Sequence, residues 1–282
     1  MKVISGIPET RAALRELPRP YGLVPTMGFL HEGHLSLVRQ ARADNASVTA
    51  SIFVNPAQFG PNEDFTTYPR NMERDLALLE EAGTDLVYTP PVEVVYPPGF
   101  DTYVEVGDLT SRLEGVARPG HFKGVATVVA KLFNVLQPDR AYFGQKDAQQ
   151  ALVITKMVAD LDFPIEVVVM PTIREADGLA LSSRNVYLSP PERQAALSLS
   201  RSLGEAERLY RAGERDAVQI RAAMSAILAA EPLVRPEYVS IADRATLLEL
   251  DTITGAAVVS LAVRVGKTRL IDNVLLGGAR PQ

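Results

Sequence analysis

The strongest constraint on the fold is a repeating alternation between short apolar runs and longer stretches with helical periodicity. Tyr21–Val24 reads as a strand, and a turn then leads into a stretch carrying Leu35, Val38 and Ala41 on one helical face. Val48–Val54 is uncharged and largely apolar, the pattern of a strand covered on both faces. Met72, Leu76, Leu79 and Ala82 recur at helical spacing, with Gly83 as the stop. Further strands are expected at Leu86–Tyr88, Thr102–Val106, Ala141–Phe143 and Ile165–Met170, and helices over Val125–Leu136 and Asp147–Ala159. Such alternation predicts an α/β fold, a mostly parallel sheet with helices on both faces. In sheets of this kind ligands bind beyond the carboxyl ends of the strands.

The pattern changes near residue 175. Ser189-Pro190-Pro191-Glu192 is a helix start, with a Ser cap, prolines in the first turn and Glu three residues on. One helix is expected from there to about Ala212 and a second over Ala217–Ala230. Two strands, Ala256–Val265 and Thr268–Leu276, follow around the tight Gly266-Lys267. The 282 residues therefore divide into a first domain over 1–175 and a smaller C-terminal α+β domain over 176–282. Gly266-Lys267-Thr268 ends like a phosphate-binding P-loop, but Leu261 stands where the first glycine is needed and the segment joins two strands. It reads as a hairpin turn.

Composition removes several functions. Against 34 acidic residues stand 29 basic ones, a net charge of −5 that weighs against nucleic acid as the main partner. The absence of cysteine excludes disulfides, thiolate metal sites and a cysteine nucleophile. Met1–Pro20 does not read as a secretory signal. The longest apolar run, near Ala256–Val263, is interrupted by Ser260 and too short to span a bilayer. A soluble, cytoplasmic protein is expected.

Chemistry concentrates in strand-to-helix turns. Pro25-Thr26-Met27-Gly28-Phe29-Leu30-His31-Glu32-Gly33-His34 holds two of the three histidines where the first strand passes into its helix. A helix N-terminus offers unpaired N–H groups and a positive dipole end to a phosphate. Gly28 and Gly33 let backbone approach a ligand. Imidazoles three residues apart share one side of the first turn; a metal pair or a structural pair are the competing readings. Phe143-Gly144-Gln145-Lys146-Asp147 repeats the arrangement with a cation for phosphate and a carboxylate for ribose hydroxyls, or is simply a capped turn. Leu181-Ser182-Ser183-Arg184-Asn185 offers two hydroxyls and a guanidinium, a phosphate clamp or a polar loop between domains. Asn55-Pro56-Ala57-Gln58-Phe59 puts an amide at the same sheet edge. Arg118-Pro119-Gly120-His121-Phe122 holds the third histidine, to which no role is assigned.

Taken together and in this order, these segments resemble the pantothenate synthetase (pantoate–β-alanine ligase) family of the nucleotidyltransferase superfamily. His31-Glu32-Gly33-His34 is similar to the superfamily's His-x-Gly-His signature. Leu181-Ser182-Ser183-Arg184-Asn185 stands where related synthetases carry Lys-Met-Ser-Lys-Ser, so Arg184 replaces the missing lysines. The resemblance implies a Rossmann-like nucleotide- and pantoate-binding domain, a C-terminal lid and a homodimer. It implies ATP on Met27, Gly28, Phe29, Leu30, His31, Glu32, Gly33 and His34, with Gly144, Gln145, Lys146 and Asp147 at ribose and phosphate. Ile173 would hold adenine, and Leu181, Ser182, Ser183 and Arg184 the outer phosphates. Gln58 and Gln150 would hold pantoate, and Gln58 also β-alanine. His34 would be the proton donor, with His31, Lys146 and Arg184 as its catalytic companions. Mg²⁺ would bridge phosphate oxygens, with Asp75 as a weak candidate for approaching it. The implied reaction condenses (R)-pantoate with β-alanine through pantoyl adenylate, releasing AMP and pyrophosphate. Another small-molecule nucleotidyltransferase is the alternative, and a non-catalytic nucleotide- or RNA-binding module is a third reading that the acidic charge disfavours.

Overall fold

A computed structural model of the chain describes residues 1–61 and 63–277. One unit comprises Met1–Gly144 and Gln149–Met170; a second comprises Gln145–Ala148 and the chain from Pro171 onward. In chain order the first unit begins β1 (Lys2–Ile4), α1 (Ile7–Leu14), β2 (Tyr21–Thr26), α2 (Glu32–Asp44), β3 (Ser47–Ile52), α3 (Met72–Glu81) and β4 (Leu86–Tyr88). It continues with α4 (Val92–Val95), α5 (Glu114–Ala117), α6 (His121–Leu136), β5 (Arg140–Gly144), α7 (Ala148–Asp160) and β6 (Glu166–Met170), Ala148 itself grouping with the second unit.

The six strands pair in the order β1-β4-β3-β2-β5-β6, and every pairing is parallel. From β2 the chain steps outward to β3 and β4, then returns past β2 to β5. Right-handed crossovers consequently put α2 and α3 on one face, and α1, α6 and α7 on the other. The direction of winding reverses between β2 and β5, and the crevice at their carboxyl ends is the expected ligand site of an open parallel sheet. All six residues of β3 are buried, as a strand sandwiched between helical layers requires. Val48, Ala50 and Ile52 of β3 pack with Val24, Leu30, Val38, Ala41 and Leu79 in the core under α2 and α3.

The second unit contains α8 (Pro190–Ala195), α9 (Leu197–Arg211) and α10 (Ala217–Ala229), followed by β7 (Val234–Asp243), β8 (Ala257–Val265) and β9 (Thr268–Leu276). These strands form an antiparallel sheet in the order β7-β8-β9, whose inner face packs on Leu199, Leu203, Ile220 and Met224. The Ser189–Glu192 capping box forms at the start of α8, and Gly266, at φ 57°, turns the β8–β9 hairpin.

Three expectations change. Thr102–Val106 is not a strand: the Val104 N–H donates to Thr127 Oγ1 at 3.0 Å instead of to a ladder, and Tyr103 is exposed. The helix expected from Ser189 to Ala212 is interrupted at Ala196, giving α8 and α9. β7 joins the expected hairpin as an edge strand; Pro236 and the adjoining bulge disguise it, because proline removes a ladder donor and only an edge tolerates that.

α6 begins one turn earlier than its apolar periodicity indicates, after Gly120 in the left-handed region. That extra turn brings Gly124 against the 3₁₀ turn Pro56–Gln58 that follows β3. A Cβ on Gly124 would lie 2.2 Å from the Ala57 carbonyl oxygen and 2.7 Å from the Gln58 nitrogen, both backbone atoms unable to swing aside. Gly124→Ala is therefore expected to destabilise the protein by about 1–3 kcal/mol through overpacking. Urea unfolding midpoints check this, and an unchanged midpoint would mean that the turn moves freely away from α6.

Candidate active site

The turn leaving β2 is held by hydrogen bonds from its neighbours. Thr26 Oγ1 donates to the Ser51 carbonyl at 2.8 Å and accepts from the Gly28 N–H at 3.2 Å. Gly28 adopts φ 81°, and a Cβ there would meet Asp75 Oδ2 at 3.0 Å and Ile52 Cγ2 at 3.1 Å. Only glycine combines that backbone conformation with so close an approach. Phe29 follows at φ 51°. Asp75, in the first turn of α3 and only 1% exposed, accepts from the Phe29 N–H at 2.6 Å and the Leu30 N–H at 2.8 Å. Its neighbour Arg74 donates to the Leu30 carbonyl at 2.9 Å. Asp75, expected from the resemblance as a weak approach to magnesium, thus spends a lone pair of each carboxylate oxygen on the turn.

The two histidines then open α2. His31 is the N-cap; its Nδ1 accepts from the Gly33 N–H at 3.2 Å, while His34 Nδ1 accepts from the His31 N–H at 3.3 Å. This reciprocal capping replaces the usual Ser and Glu pair with two imidazoles whose ring centroids lie 4.1 Å apart. Sequence spacing places two rings on one side of a turn; it does not indicate that both act as caps. An Nδ1 that accepts leaves the neutral ring's proton on Nε2. Each ring is thereby an N–H donor at the positive end of a helix dipole, suited to developing charge on phosphate oxygens.

Beside this turn, at the carboxyl end of β3, lies Gln58. Its Nε2 approaches Met27 Sδ at 3.2 Å, and its Oε1 accepts from Asn55 Nδ2 at 3.1 Å. Asn55 is buried and fully occupied: it also donates to the Gly124 carbonyl and accepts from the Ala57 N–H and the Tyr96 hydroxyl. Burial pushes the Tyr96 phenol up to about 12, so it stays a donor at neutral pH. The amide of Gln58 is in this way oriented with its N–H₂ end toward Met27.

His121 stands behind Gln58. Its Nδ1 lies 2.8 Å from the Gln58 carbonyl oxygen, and its Nε2 lies 3.0 Å from an Arg118 guanidinium nitrogen. Arg118 in turn grips Glu63 in a bidentate pair at 2.6 and 2.7 Å. Burial, reinforced by the Arg118 charge, pushes the His121 imidazole down to about 4. Burial would raise the Glu63 carboxyl, but the Arg118 hydrogen bond and charge outweigh it and hold the group below its ordinary value.

The remaining expected residues fall in three places. Gly144 ends β5, and Gln150 is half-buried in the first turn of α7. The preceding Gln149, which sequence reasoning passes over, is buried and binds the Glu114 N–H and the Leu109 and Arg112 carbonyls. Gln145, Lys146 and Asp147 form a 3₁₀ turn in the second unit, where Asn273 of β9 donates to the Gln145 and Lys146 carbonyls at 2.9 Å each. Ile173 and Leu181 face each other through the Leu181 N–H to Ile173 carbonyl bond in the same unit. Ser182 caps the 3₁₀ turn Ser183–Tyr187 by accepting from the Arg184 N–H. Arg174, paired with the buried Asp272 at 2.6 and 2.9 Å, anchors the start of this loop to β9.

Among the described residues no group of three or more His, Asp or Glu could hold a metal ion. Magnesium that arrives with a nucleotide needs few protein ligands, since phosphate oxygens and water supply most of its shell. No helix among the described residues is long and apolar enough to cross a membrane.

An open parallel sheet whose switch point carries a helix start capped by two imidazoles defines the class: a Rossmann-like α/β enzyme. Comparison narrows the class. A family profile described as Pantoate-beta-alanine ligase matches residues 2–275. Pantothenate synthetase of Roseiflexus castenholzii is 60% identical over 276 residues, covering 98% of this chain and 99% of that one. The crystal structure of pantothenate synthetase from Thermus thermophilus, 52% identical, matches with a TM-score of 0.93 over 97% of this chain and 99% of that chain. Pantoate-beta-alanine ligase from Francisella tularensis, crystallised with β-γ ATP and β-alanine, is 32% identical and matches with a TM-score of 0.79 over 98% and 97% of the two chains. The chain belongs to the pantoate–β-alanine ligase family, and it is a ligase.

The His121 environment has a measurable consequence. Unfolded, His121 protonates near 6.5; folded, beside Arg118 and with Glu63 and Glu114 nearby, it resists protonation down to about 4. Between those values the unfolded chain binds more protons, so stability falls as pH falls, by about 3 kcal/mol for this group. The share from Glu63, whose folded value is depressed, is lost at still lower pH. The stability difference between wild type and His121→Asn should shrink as urea midpoints are followed from pH 7 to pH 4. A difference constant with pH would show that the imidazole is not held neutral.

Proposed function

We propose that the chain condenses pantoate with β-alanine at the expense of ATP, giving pantothenate, AMP and pyrophosphate. A free carboxylate does not acylate an amine at neutral pH, because it is anionic and its oxygen is a poor leaving group. In the first step a pantoate carboxylate oxygen attacks the α-phosphorus of ATP. The bond from that phosphorus to the bridging oxygen breaks, pyrophosphate departs, and pantoyl adenylate forms. In the second step the β-alanine amine attacks the activated carbonyl carbon, the bond to the AMP oxygen breaks so that AMP departs, and the amine proton passes to solvent water.

The observation that carries this reading is the capping of α2 by His31 and His34, in which each Nδ1 accepts and the proton of each neutral ring lies on Nε2. Donors already oriented need no reorganisation when charge moves onto phosphate oxygens, and that is the main demand of both steps. The Francisella relative's complex with β-γ ATP and β-alanine supports ATP as co-substrate and β-alanine as the amine. In this reading Met27–His34 receive ATP, Gly144–Asp147 take ribose and phosphate, and the backbone of Ile173 holds adenine. His34 is the proton donor; Lys146 joins both histidines at the α- and β-phosphates. Leu181, Ser182, Ser183 and Arg184 serve the outer phosphates. Mg²⁺ neutralises phosphate oxygens when bound. Gln58, whose N–H₂ end is turned toward Met27, donates to the substrate carboxylate or hydroxyl, and Gln150 completes the pantoate site. The family resemblance adds three parts to the proposal: a C-terminal lid, a homodimer and a cytoplasmic location.

The test is incubation with ATP, Mg²⁺, pantoate and β-alanine, omitting one component at a time while AMP and pyrophosphate are followed. AMP release is expected only with both acids present. Pyrophosphate release with a stable nucleotidyl product would instead make the protein another nucleotidyltransferase. His34→Ala should lower turnover roughly 10²–10³-fold, the usual cost of removing an oriented donor to transition-state charge. Wild-type turnover in a folded variant would remove His34 from the mechanism.

A further inference from the structure

The chemistry asks Gln58 to present its amide accurately, yet its own turn is poorly equipped to do so. Pro56–Gln58 is a three-residue 3₁₀ turn, closed by the Gln58 N–H to Asn55 carbonyl bond at 3.4 Å and the Phe59 N–H to Pro56 carbonyl bond at 3.2 Å. Such a turn takes its geometry from its surroundings. The side chain is set from one side by Asn55. The backbone is set from the other by residues the reaction does not otherwise use.

The second support has a direction. Arg118 has only donors, so His121 Nε2, 3.0 Å away, accepts from it. The ring proton is thereby confined to Nδ1, which donates to the Gln58 carbonyl at 2.8 Å; an Arg118 nitrogen reaches the same oxygen at 3.4 Å. Arg118 is itself fixed by the two carboxylate oxygens of Glu63, and Glu63 is tied to its own loop by the Gly60 N–H at 3.2 Å. The ion pair is largely sheltered, with the Arg118 side chain 14% exposed and that of Glu63 25%. A bidentate pair in that setting holds a guanidinium in plane far better than a solvated one.

We propose that Glu63, Arg118 and His121 form a positioning relay that fixes the Gln58 backbone and, through it, the amide that receives the carboxylate substrates. The proposal rests on the substrate role given to Gln58 above. His121 touches no substrate in this scheme; it acts through Gln58. Because the three groups are linked in series, each selects the orientation of the next: Glu63 sets the guanidinium plane, Arg118 sets the imidazole tautomer, and the tautomer sets the donor to Gln58. A merely structural cluster would support the fold without favouring one ligand over another. The relay should instead act on pantoate and β-alanine and leave ATP untouched.

The experiment is a double-mutant cycle of His121→Ala and Gln58→Ala, with KM for pantoate, β-alanine and ATP and kcat measured for all four proteins, and melting temperature recorded alongside. His121→Ala is expected to raise KM for pantoate about tenfold, equivalent to about 1.4 kcal/mol, with the ATP value within about twofold of wild type. In the Gln58→Ala background the same change should add almost nothing, since coupled groups are not additive. His121→Asn, which keeps an N–H near the Nδ1 position, should restore most of the pantoate affinity and guards against a poorly folding alanine variant. Additive effects, or an equal rise in KM for ATP, would overturn the relay while sparing the role of Gln58. Unchanged KM values for both acids in Gln58→Ala would overturn the role of Gln58 and the relay with it.

Discussion

The site depends on one carboxylate. Asp75 projects from the first turn of α3 into the loop leaving β2 and binds two successive N–H groups, those of Phe29 and Leu30. Without an acceptor there, two donors at the edge of the core would be unpaired, each at a cost of about 1–3 kcal/mol. With it, a segment containing two consecutive positive-φ residues, Gly28 and Phe29, is held against the end of the sheet. The start of α2 is then determined, and so are the two imidazoles that cap it. A buried, nearly inaccessible side chain thus controls the two groups to which the proposed function gives the phosphates.

A second constraint acts one strand away. β2 and β3 pair in register, with Thr26 opposite Ile52, so the turns that follow them emerge side by side at the same edge. The β2 turn carries the two capping imidazoles; the β3 turn carries the neutral amide of Gln58. The close approach of Gly124, the buried Asn55 and the Arg118–His121 pair all bear on the β3 turn. Both turns are short and internally weak, and both are held from outside by buried polar contacts. That arrangement gives rigid donors without a long, heavily hydrogen-bonded loop, which suits chemistry whose main requirement is orientation.

Much of the scaffold is legible in the sequence because burial on both faces leaves uncharged strands and one-sided helices. β3, β4, β5, β8 and β9 fall within a residue or two of where periodicity puts them. The elements that escape have weaker patterns for physical reasons. β1 is a three-residue edge strand, and β7 contains a proline that only an edge admits. Thr102–Val106 has strand-like composition, but composition cannot say whether a neighbouring strand exists to receive it. At the site, motif residues stand out because Gly, His, Lys and Ser cluster in strand-to-helix turns. The anchors do not: Asp75 is an ordinary acidic residue in a helical stretch, and His121 lies 63 residues from Gln58, the group it meets. Contacts across such separations are set by tertiary packing, which no local spacing encodes.

Hydrogen bonding assigns each histidine a tautomer, and this is open to direct observation. With three histidines in the chain, nitrogen-15 labelling and long-range proton–nitrogen correlation give a resolvable set of rings. Two rings, His31 and His34, should be protonated on Nε2, and their Nε2 signals should move when a non-hydrolysable ATP analogue binds. The third, His121, should be protonated on Nδ1 and indifferent to nucleotide. Finding His31 and His34 protonated on Nδ1, or unmoved by saturating nucleotide, would contradict the claim that these rings are oriented donors for phosphate.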